Sequence, residues 1–263
     1  MAEPSTLSMS KAELMERAKR RMSEHLDALP AWSTAEKLAL TCRILHSQGH
    51  DSGLAGQITA RAEQDGHFIT QQWGLGFDEI SVGNLVTVDA DLEVQQGAGM
   101  ANPANRFHMW IYRARPDVRC IVHTHPAHVC ALSMLGRPLA ISHMDTCLLY
   151  EDVAFLDHWP GVPVGNSEGE IITQALADRR AVLLAHHGLL VAAGSVEEAC
   201  VIALACEHAA RLQLLAEASG TILPIRPELA REAHDWLLRD ERVRAGFHYR
   251  ARKILREQPD SML

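Results

Sequence analysis

The sequence predicts an α/β fold built on a mixed or antiparallel sheet that is covered by helices. Strand and helix patterns follow each other without strict alternation, and hairpin patterns dominate the first half of the chain, which disfavours a regular parallel array. Hydrophobic residues make up 47% of the 263 residues, which is enough for a sizeable core. We find no internal repeat and no linker long enough to separate domains, so we expect one main domain.

The first half of the chain predicts two helices followed by two hairpins. The capping-box pattern S-x-x-E marks helix starts at residues 10–13 and 33–36. Residues 57–70 predict two short strands around an Asp-Gly turn. Residues 84–94 predict a second hairpin, which turns near an Ala-Asp pair. The two hairpins therefore contribute antiparallel strands to the sheet.

The second half of the chain mixes strands with longer helices. A helix that begins near Ala104 ends before Pro116, because proline cannot continue a helix. The predicted elements that follow are a strand at 119–125, a helix at 126–135, a helix at 168–178, an apolar strand pair or bent strand at 180–192, a helix from Ser195 to about Ala218, and a helical tail after about Thr221. We divide the chain into an N-terminal helical extension (1–33), the main domain (34–220) and a C-terminal helical tail (221–263).

Composition and charge disfavour several classes of function. The net charge of -8 and the pI near 6.0 argue against nucleic-acid binding, which uses a basic surface. No stretch approaches the roughly 18 apolar residues of a membrane span, and the first residues lack the apolar core of a signal peptide. The 6 cysteines form no C-x-x-C pair, so we expect reduced thiols and a cytoplasmic protein. The 15 histidines are the compositional hint of metal chemistry.

The first candidate for that chemistry is the H-x-H pair His123 and His125. Side chains alternate along a strand, so both imidazoles lie on one face, about 6–7 Å apart at the backbone. Both rings can then lean onto one cation at about 2.0–2.1 Å. Pro126 ends regular pairing and places the pair at a strand end, which substrates can reach. On its own the pair is a weak signal, and the alternative is a pair of surface histidines or of hydrogen-bonded ones.

The second candidate is the His186-His187-Gly188 sequence inside an apolar run. Two polar rings in such a run are costly unless they have partners. Gly188 permits a bend or a bulge that re-aims a side chain. Adjacent strand residues face opposite sides, so we expect one of the two histidines to join any shared site. Together with the H-x-H pair it makes a set of three histidines that leaves coordination positions open, as in catalytic sites.

These motifs resemble the class II aldolase/adducin family over roughly residues 35–218. The matching stretches are GHDSGLAGQITARA, GLGFDEISVGNLVTVD, RFHMWIYRARPDVRCIVHTHP and AVLLAHHGLLVAAGSVEEA. The resemblance implies that the ligand in the last stretch is His187, the histidine directly before glycine. It further implies a single-domain α/β/α sandwich with a central, mostly antiparallel sheet, and homotetramers with sites at subunit boundaries.

The chain departs from the sugar-phosphate aldolases of that family at two places. Their Ser-Ser-Glu run, with an acid/base glutamate and phosphate-binding hydroxyls, is here Asn102-Pro103-Ala104. Their Ala-Gly-Asn near the phosphate is here Ala55-Gly56-Gln57. Both changes disfavour a phosphorylated sugar as substrate and disfavour the usual retro-aldol chemistry.

Another residue must therefore handle protons. His108 lies four residues after Ala104 on the same helix face and is a pocket candidate. Asp145 or Glu151 is a candidate proton carrier, and Asp145 would share a face with a nearby histidine if its segment is extended. The alternative is a loop with solvated acids. Tyr249, in the tail, is a candidate that could enter the site of a neighbouring subunit.

We expect a metal-dependent lyase that cleaves a C–C bond, by aldol cleavage or decarboxylation, in a non-phosphorylated hydroxy or oxo carboxylate through a metal-stabilised enediolate. His123, His125 and His187 would bind Zn²⁺, with Mn²⁺, Co²⁺ or Fe²⁺ as alternatives. We expect a small-molecule substrate, no nucleic-acid or membrane partner and no organic cofactor. Two other functions stay open: a non-haem iron oxygenase that acts on a hydroxyaryl acid, and a non-catalytic scaffold like the adducin head.

Overall fold

The structure is a computed structural model that describes residues 6–26 and 28–263. Its strands are β1 (Gln57–Arg61), β2 (Phe68–Gln71), β3 (Leu85–Val88), β4 (Val94–Gln96), β5 (Cys120–Thr124), β6 (Val153–Leu156), β7 (Ala181–Leu184) and β8 (Leu189–Ala193). Its helices are α1 (Lys11–Leu26), α2 (Thr34–Ser47), α3 (Arg106–Ala114), α4 (Ala127–Met134), α5 (Asn166–Leu176), α6 (Val196–Glu217), α7 (Pro227–Leu237) and α8 (Asp240–Glu257). Short 3-10 segments connect several of these elements.

The strands form one 8-stranded sheet in the order β4-β3-β2-β1-β5-β8-β7-β6. All neighbouring strands are antiparallel except β6 and β7, which are parallel. The predicted α/β class with a mostly antiparallel sheet is therefore confirmed. Residues 180–192, which the sequence left open between a bent strand and a strand pair, form the antiparallel pair β7 and β8.

Helices cover both faces of the sheet, because side chains alternate along each strand. On one face, Val122 of β5 packs with α2, α6 and α8. On the other face, Ile121 packs with α3 and α5. Burying each such aliphatic side chain contributes roughly 1.5–3 kcal/mol. The alternation places His123 on the α3 face with Ile121, and Thr124 on the α6 face with Val122.

The capping boxes form as the sequence predicts. Ser33 accepts a hydrogen bond from the Glu36 amide, and the Glu36 carboxylate accepts one from the Ser33 amide at 2.7 Å. Ser10 and Glu13 make the same reciprocal pair ahead of α1. These contacts satisfy amides that the first helical turn would leave unpaired.

Helix α6 is the one described helix that is long and apolar enough to cross a membrane, by length and composition alone. Its apolar face lies on β5 and β8, and the helix also packs against α2, α4 and α8. A core helix passes the same test, so this helix is weak evidence for a membrane span.

The C-terminal tail packs on the rest of its own chain. Helix α8 lies against α6, α2 and α1, and α7 lies against the 3-10 segment Met144–Leu149. The buried Arg43 of α2 donates to the Ile80 carbonyl and pairs with the Asp260 carboxylate at 2.8 Å, which holds the last residues in place. The division into three segments stays a prediction, and residues 1–5 and 27 lie outside the described residues.

Candidate metal centre

Strand β5 lies between β1 and β8 in the sheet and carries the H-x-H pair to its end. His123 is directly opposite Gln57 on β1 and Leu190 on β8, and only 2% of its surface is exposed. His125 follows the last paired residue and is half-buried. The His123 ring is therefore buried within the sheet, and the His125 ring lies just beyond the end of the strand, where it is partly exposed to solvent.

The turn between β7 and β8 brings in the third histidine. The His187 amide donates to the Leu184 carbonyl and the Leu184 amide donates to the Gly188 carbonyl, which closes a tight turn. His186 takes the positive φ of 57° that this turn requires, and its side chain is exposed. Only His187 turns toward the other two rings, as the sequence predicts for one of the pair.

Gly188 is needed for a reason other than the predicted bend or bulge. Its φ is not positive. A Cβ at this position would lie 2.6 Å from the His125 ring and 2.7 Å from the Thr124 carbonyl oxygen. The absence of a side chain therefore lets the turn press against the end of β5, and this contact sets how close His187 comes to His125.

The three rings meet at one point. The ring centroids lie 4.8 Å apart for His123 and His125, 4.7 Å for His123 and His187, and 4.8 Å for His125 and His187. One nitrogen from each residue lies within 4.8 Å of the others, and this group of described residues holds no carboxylate or thiol. Two Nε2 atoms, from His123 and His125, are 3.0 Å apart.

The three imidazoles are held in the neutral form, which is the form that binds a metal ion. His123 Nδ1 donates to the Leu189 carbonyl at 2.8 Å, so the proton lies on Nδ1 and the Nε2 lone pair faces the other rings. Burial, with the neighbouring rings, holds the pKa of His123 well below its usual range, and burial lowers that of His125. Burial and His125 lower the pKa of His187 to about 4. Neutral imidazoles oriented by a carbonyl are typical metal ligands.

His108 lies directly behind this centre. It is fully buried on α3, its Nδ1 is 2.9 Å from the Thr59 hydroxyl, and burial lowers its pKa to about 3. It is close enough to His123 to help lower that residue's pKa. The neighbouring Phe107 ring packs edge-on against His123 at 5.1 Å. The structure thus brings His108 together with the three ligand candidates.

None of the other three candidates belongs to the group of three histidines within one chain. Asp145 is exposed in a 3-10 helix, so the extended segment that the predicted shared face assumed does not form, and its carboxylate lies 3.8 Å from His143 Nδ1. Glu151 precedes β6, at the opposite end of the sheet from His187, and pairs with Arg231. Tyr249 is 64% exposed on α8. Their catalytic roles stay predictions that require a second subunit.

Sequence reasoning missed two polar residues beside the centre. Gln57, opposite His123, was noted only for the departure from the family pattern, and Asn105 was not considered. Both are buried, at 5% and 0% exposure. Asn105 lies three residues before His108 on the same side of the helix start, and this spacing could have signalled it.

Comparison with known proteins identifies the family. The chain matches the model of the Class II Aldolase and Adducin N-terminal domain over residues 36–214, so it belongs to the class II aldolase/adducin family. Sequence identity to individual members is near 30%, which makes the chain a divergent member.

Its relatives carry out several reactions. It is 33% identical over 207 residues to 3,4-dihydroxyphthalate decarboxylase of Arthrobacter keyseri, covering 73% of this chain and 82% of that one. It is 32% identical over 197 residues to 4-hydroxy-3-prenylphenylpyruvate oxygenase/4-hydroxy-3-prenylbenzoate synthase of Streptomyces roseochromogenus subsp. oscitans, covering 73% and 71%. A structure of L-fuculose 1-phosphate aldolase from Glaciozyma antarctica PI12 superimposes with a TM-score of 0.82 at 28% identity, covering 91% and 98%.

Proposed function

We propose that this protein is a metal-dependent lyase that breaks a C–C bond, by aldol cleavage or decarboxylation, in a non-phosphorylated hydroxy or oxo carboxylate. The observation that carries the proposal is the convergence of His123, His125 and His187 at the end of strand β5, where His125 and His187 are half-buried. The position that holds a glutamate in the family's sugar-phosphate enzymes is Ala104 here. The chain thus keeps the metal ligands of the family and lacks its usual acid/base.

The donor set fits a divalent ion. Three neutral imidazoles suit Zn²⁺ first, and Mn²⁺, Co²⁺ or Fe²⁺ as alternatives. A bound ion would supply Lewis acidity, which stabilises negative charge as it develops on a substrate oxygen. Leu189 fixes the His123 ring through its carbonyl, and Gly188 fixes the spacing between the turn and His125. Because His125 and His187 are only half-buried, a substrate can reach the ion from the side of these two rings.

The lost carboxylate weighs more against aldol cleavage than against decarboxylation. Aldol cleavage needs a base that removes a hydroxyl proton before the C–C bond breaks. Decarboxylation converts R–COO⁻ and one proton into R–H and CO₂, so it needs only a proton donor at the end. The decarboxylase relative supports the same preference. We propose decarboxylation as the first reaction to test, with His108 as a neutral pocket residue and a residue of another subunit as the proton donor, because burial lowers the pKa of His108 to about 3.

The test is a direct assay on metal-loaded protein. We expect CO₂ release or aldol products from one of a panel of hydroxyaryl acids and 2-oxo or 2-hydroxy acids, and loss of that activity in His187→Ala. His186→Asn is the matched control, because asparagine tolerates the positive φ at this position and the side chain is exposed. A fully metal-loaded protein without C–C cleavage across the panel would count decisively against a lyase.

An oxygenase is the second candidate, favoured by the Streptomyces relative with oxygenase in its name. Histidines without a carboxylate can hold Fe²⁺ and leave positions for O₂. Metal content after anaerobic purification, followed by oxygen uptake with hydroxyaryl acids, separates the two reactions. Iron together with substrate-dependent oxygen consumption would favour the oxygenase.

The third candidate, a non-catalytic scaffold, is disfavoured because all the ligand positions are filled. Protein purified without chelator that contains no metal would revive it.

We further propose a cytoplasmic homotetramer that binds a small-molecule substrate and neither nucleic acid nor membrane. The free cysteines support a reducing compartment. Light scattering on purified protein tests the tetramer.

A further inference from the structure

A cavity of about 400 Å³ lies against helix α3, beside the end of β1 and the start of α5. Its lining includes three arginines, Arg61, Arg106 and Arg113, and one acidic residue, Asp91. The chain as a whole carries a net charge of -8. The cavity is therefore a locally positive site on an acidic protein, and a concave positive site attracts anions.

The cavity is separate from the metal centre. Strand β1 pairs with β5 so that its first residue, Gln57, is opposite His123. Arg61, which lines the cavity, is the last residue of β1. Four strand residues span about 13 Å, at a rise of roughly 3.3 Å per residue. None of the three histidines lines the cavity, so a ligand bound in it does not contact the metal ligands.

Two of the arginines keep donors for a ligand. Arg113 is exposed, makes no ion pair with a described carboxylate, and its guanidinium lies 5.6 Å from the centre of the Trp110 ring. Arg106 makes only long contacts: 3.4 Å to the Ala90 carbonyl, 3.3 Å to the Asp91 carbonyl and 3.7 Å to the Asp91 carboxylate. The Asp91 side chain is 86% exposed, so water screens this pair. Both guanidiniums can therefore bind an added anion.

An aromatic platform lies between these two arginines. Trp110 comes four residues after Arg106 and three before Arg113, so the three side chains share one face of α3. The indole Nε1 donates to Asn166 Oδ1 at 3.1 Å. A Cβ at Gly169 would lie 2.5 Å from the Trp110 ring, so the ring packs directly against the backbone of α5. A ring held in place in this way binds a planar partner at a low entropic cost.

We propose that this cavity binds a small aromatic anion, a planar ring that carries a carboxylate or a phosphate group. The ring stacks on Trp110, and the anionic group pairs with Arg113, while Arg106 adds positive charge from the other side. Arg61 adds a fixed charge, because its guanidinium donates to the Tyr112 carbonyl at 2.7 Å. The volume lies in the range of small-molecule sites. The inference does not use the proposed function, because no metal ligand takes part.

The test measures binding of three probes by titration calorimetry on Zn²⁺-loaded protein: 2-naphthoate, 2-naphthyl phosphate and the neutral 2-naphthol. We expect at least one anion to bind with a Kd below about 1 mM, and at least ~10-fold more tightly than 2-naphthol. The two anions show whether the site prefers a carboxylate or a phosphate. Binding should persist in His187→Ala, which removes a candidate metal ligand. No binding of either anion, equal affinity for 2-naphthol, or loss of binding in His187→Ala overturns the site.

Arg113→Gln isolates the guanidinium that has no carboxylate partner. We expect it to weaken binding of the preferred anion about 5–20-fold and to change that of 2-naphthol less than about twofold. Arg211→Gln is the matched control, because Arg211 is an exposed arginine of α6, on the opposite face of the sheet. It should leave both affinities unchanged. Equal weakening in the two variants would reflect net charge alone and would overturn the assignment of the anion to this cavity.

Discussion

The two ends of strand β7 carry polar groups of opposite character. Before β7, Arg180 pairs with the Asp152 carboxylate at 2.5 Å and with the Glu198 carboxylate at 2.9 Å. After β7, His187 meets two further neutral imidazoles, and the buried His108 lies close enough to His123 to help lower its pKa. The first end is a closed set of opposite charges. The second end is a set of like groups with unused lone pairs.

This difference distinguishes polar groups that stabilise the fold from polar groups that bind a ligand. A network whose donors and acceptors match stabilises the free protein and leaves nothing for a ligand. A network with a surplus of one kind is destabilising until a complementary group binds. The same strand therefore has a stabilising end and a binding end, and variants at each end should change different measurements.

The largest effect is expected at the binding end. His187→Ala should lower activity by at least ~1,000-fold, since Lewis-acid stabilisation is worth several kcal/mol and each 1.36 kcal/mol is tenfold in rate. Metal content, measured by plasma mass spectrometry, should fall well below one ion per chain. His186→Asn should keep both the activity and the metal content of the wild type. Full metal content in His187→Ala would remove this residue from the centre.

A smaller loss is expected when the turn is pushed away from β5. Gly188→Ala adds a methyl group within 2.6 Å of the His125 ring, so the ring or the turn must move. We expect metal affinity to fall about 10–100-fold, the range for altered ligand orientation. Competition with a metal-binding dye measures this. Unchanged affinity would show that the turn gives way without moving the ligands.

At the stabilising end, Asp152→Ala should lower the free energy of unfolding by about 1–3 kcal/mol, because it leaves Arg180 with one carboxylate fewer. Urea unfolding measures this change. Glu151→Asn is the matched control for stability, since Glu151 is exposed, has a φ of 59° and pairs only at the surface. Metal content of Asp152→Ala should match the wild type, and a loss of metal would erase the distinction between the two ends.

Much of the fold was predictable because its signals are local. Capping boxes, hairpin turns and apolar runs each lie within a few residues, and the structure confirms them. The H-x-H pair was also local. His187 was selected by its place before Gly188 in the family pattern, and pairing through β8 brings it to β5.

The rest depended on contacts across the sheet. Asn105 donates to the hydroxyl of Thr70, which lies on a strand 35 residues earlier. The close approach of Gly188 to His125 exists only once β7, β8 and β5 are aligned. Asp145 lies in a 3-10 helix rather than in the extended segment that its predicted face assumed. None of these contacts leaves a periodic signal in one segment.

The smallest expected effect is a pH dependence of stability at the stabilising end of β7. His234 of α7 lies 3.7 Å from Asp152, and this carboxylate, followed by Asp235, raises its pKa. Burial alone would raise the pKa of Asp152, but His234 and Arg180 outweigh it, so Asp152 stays ionised above pH 6. Because the folded pKa of His234 exceeds its unfolded value near 6.5, its contribution is complete below that pH and is lost as pH rises through the folded value.

The stability difference between wild type and His234→Gln should therefore be roughly 0.5 kcal/mol at pH 6 and vanish by pH 9. Urea unfolding at both pH values measures it, and amide exchange in α7 should quicken at the higher pH beyond the intrinsic rate. A difference that grows with pH would mean that His234 binds as the neutral ring. In that case the stabilising end would rest on Arg180 alone, and protonation would not distinguish it from the neutral histidines at the binding end.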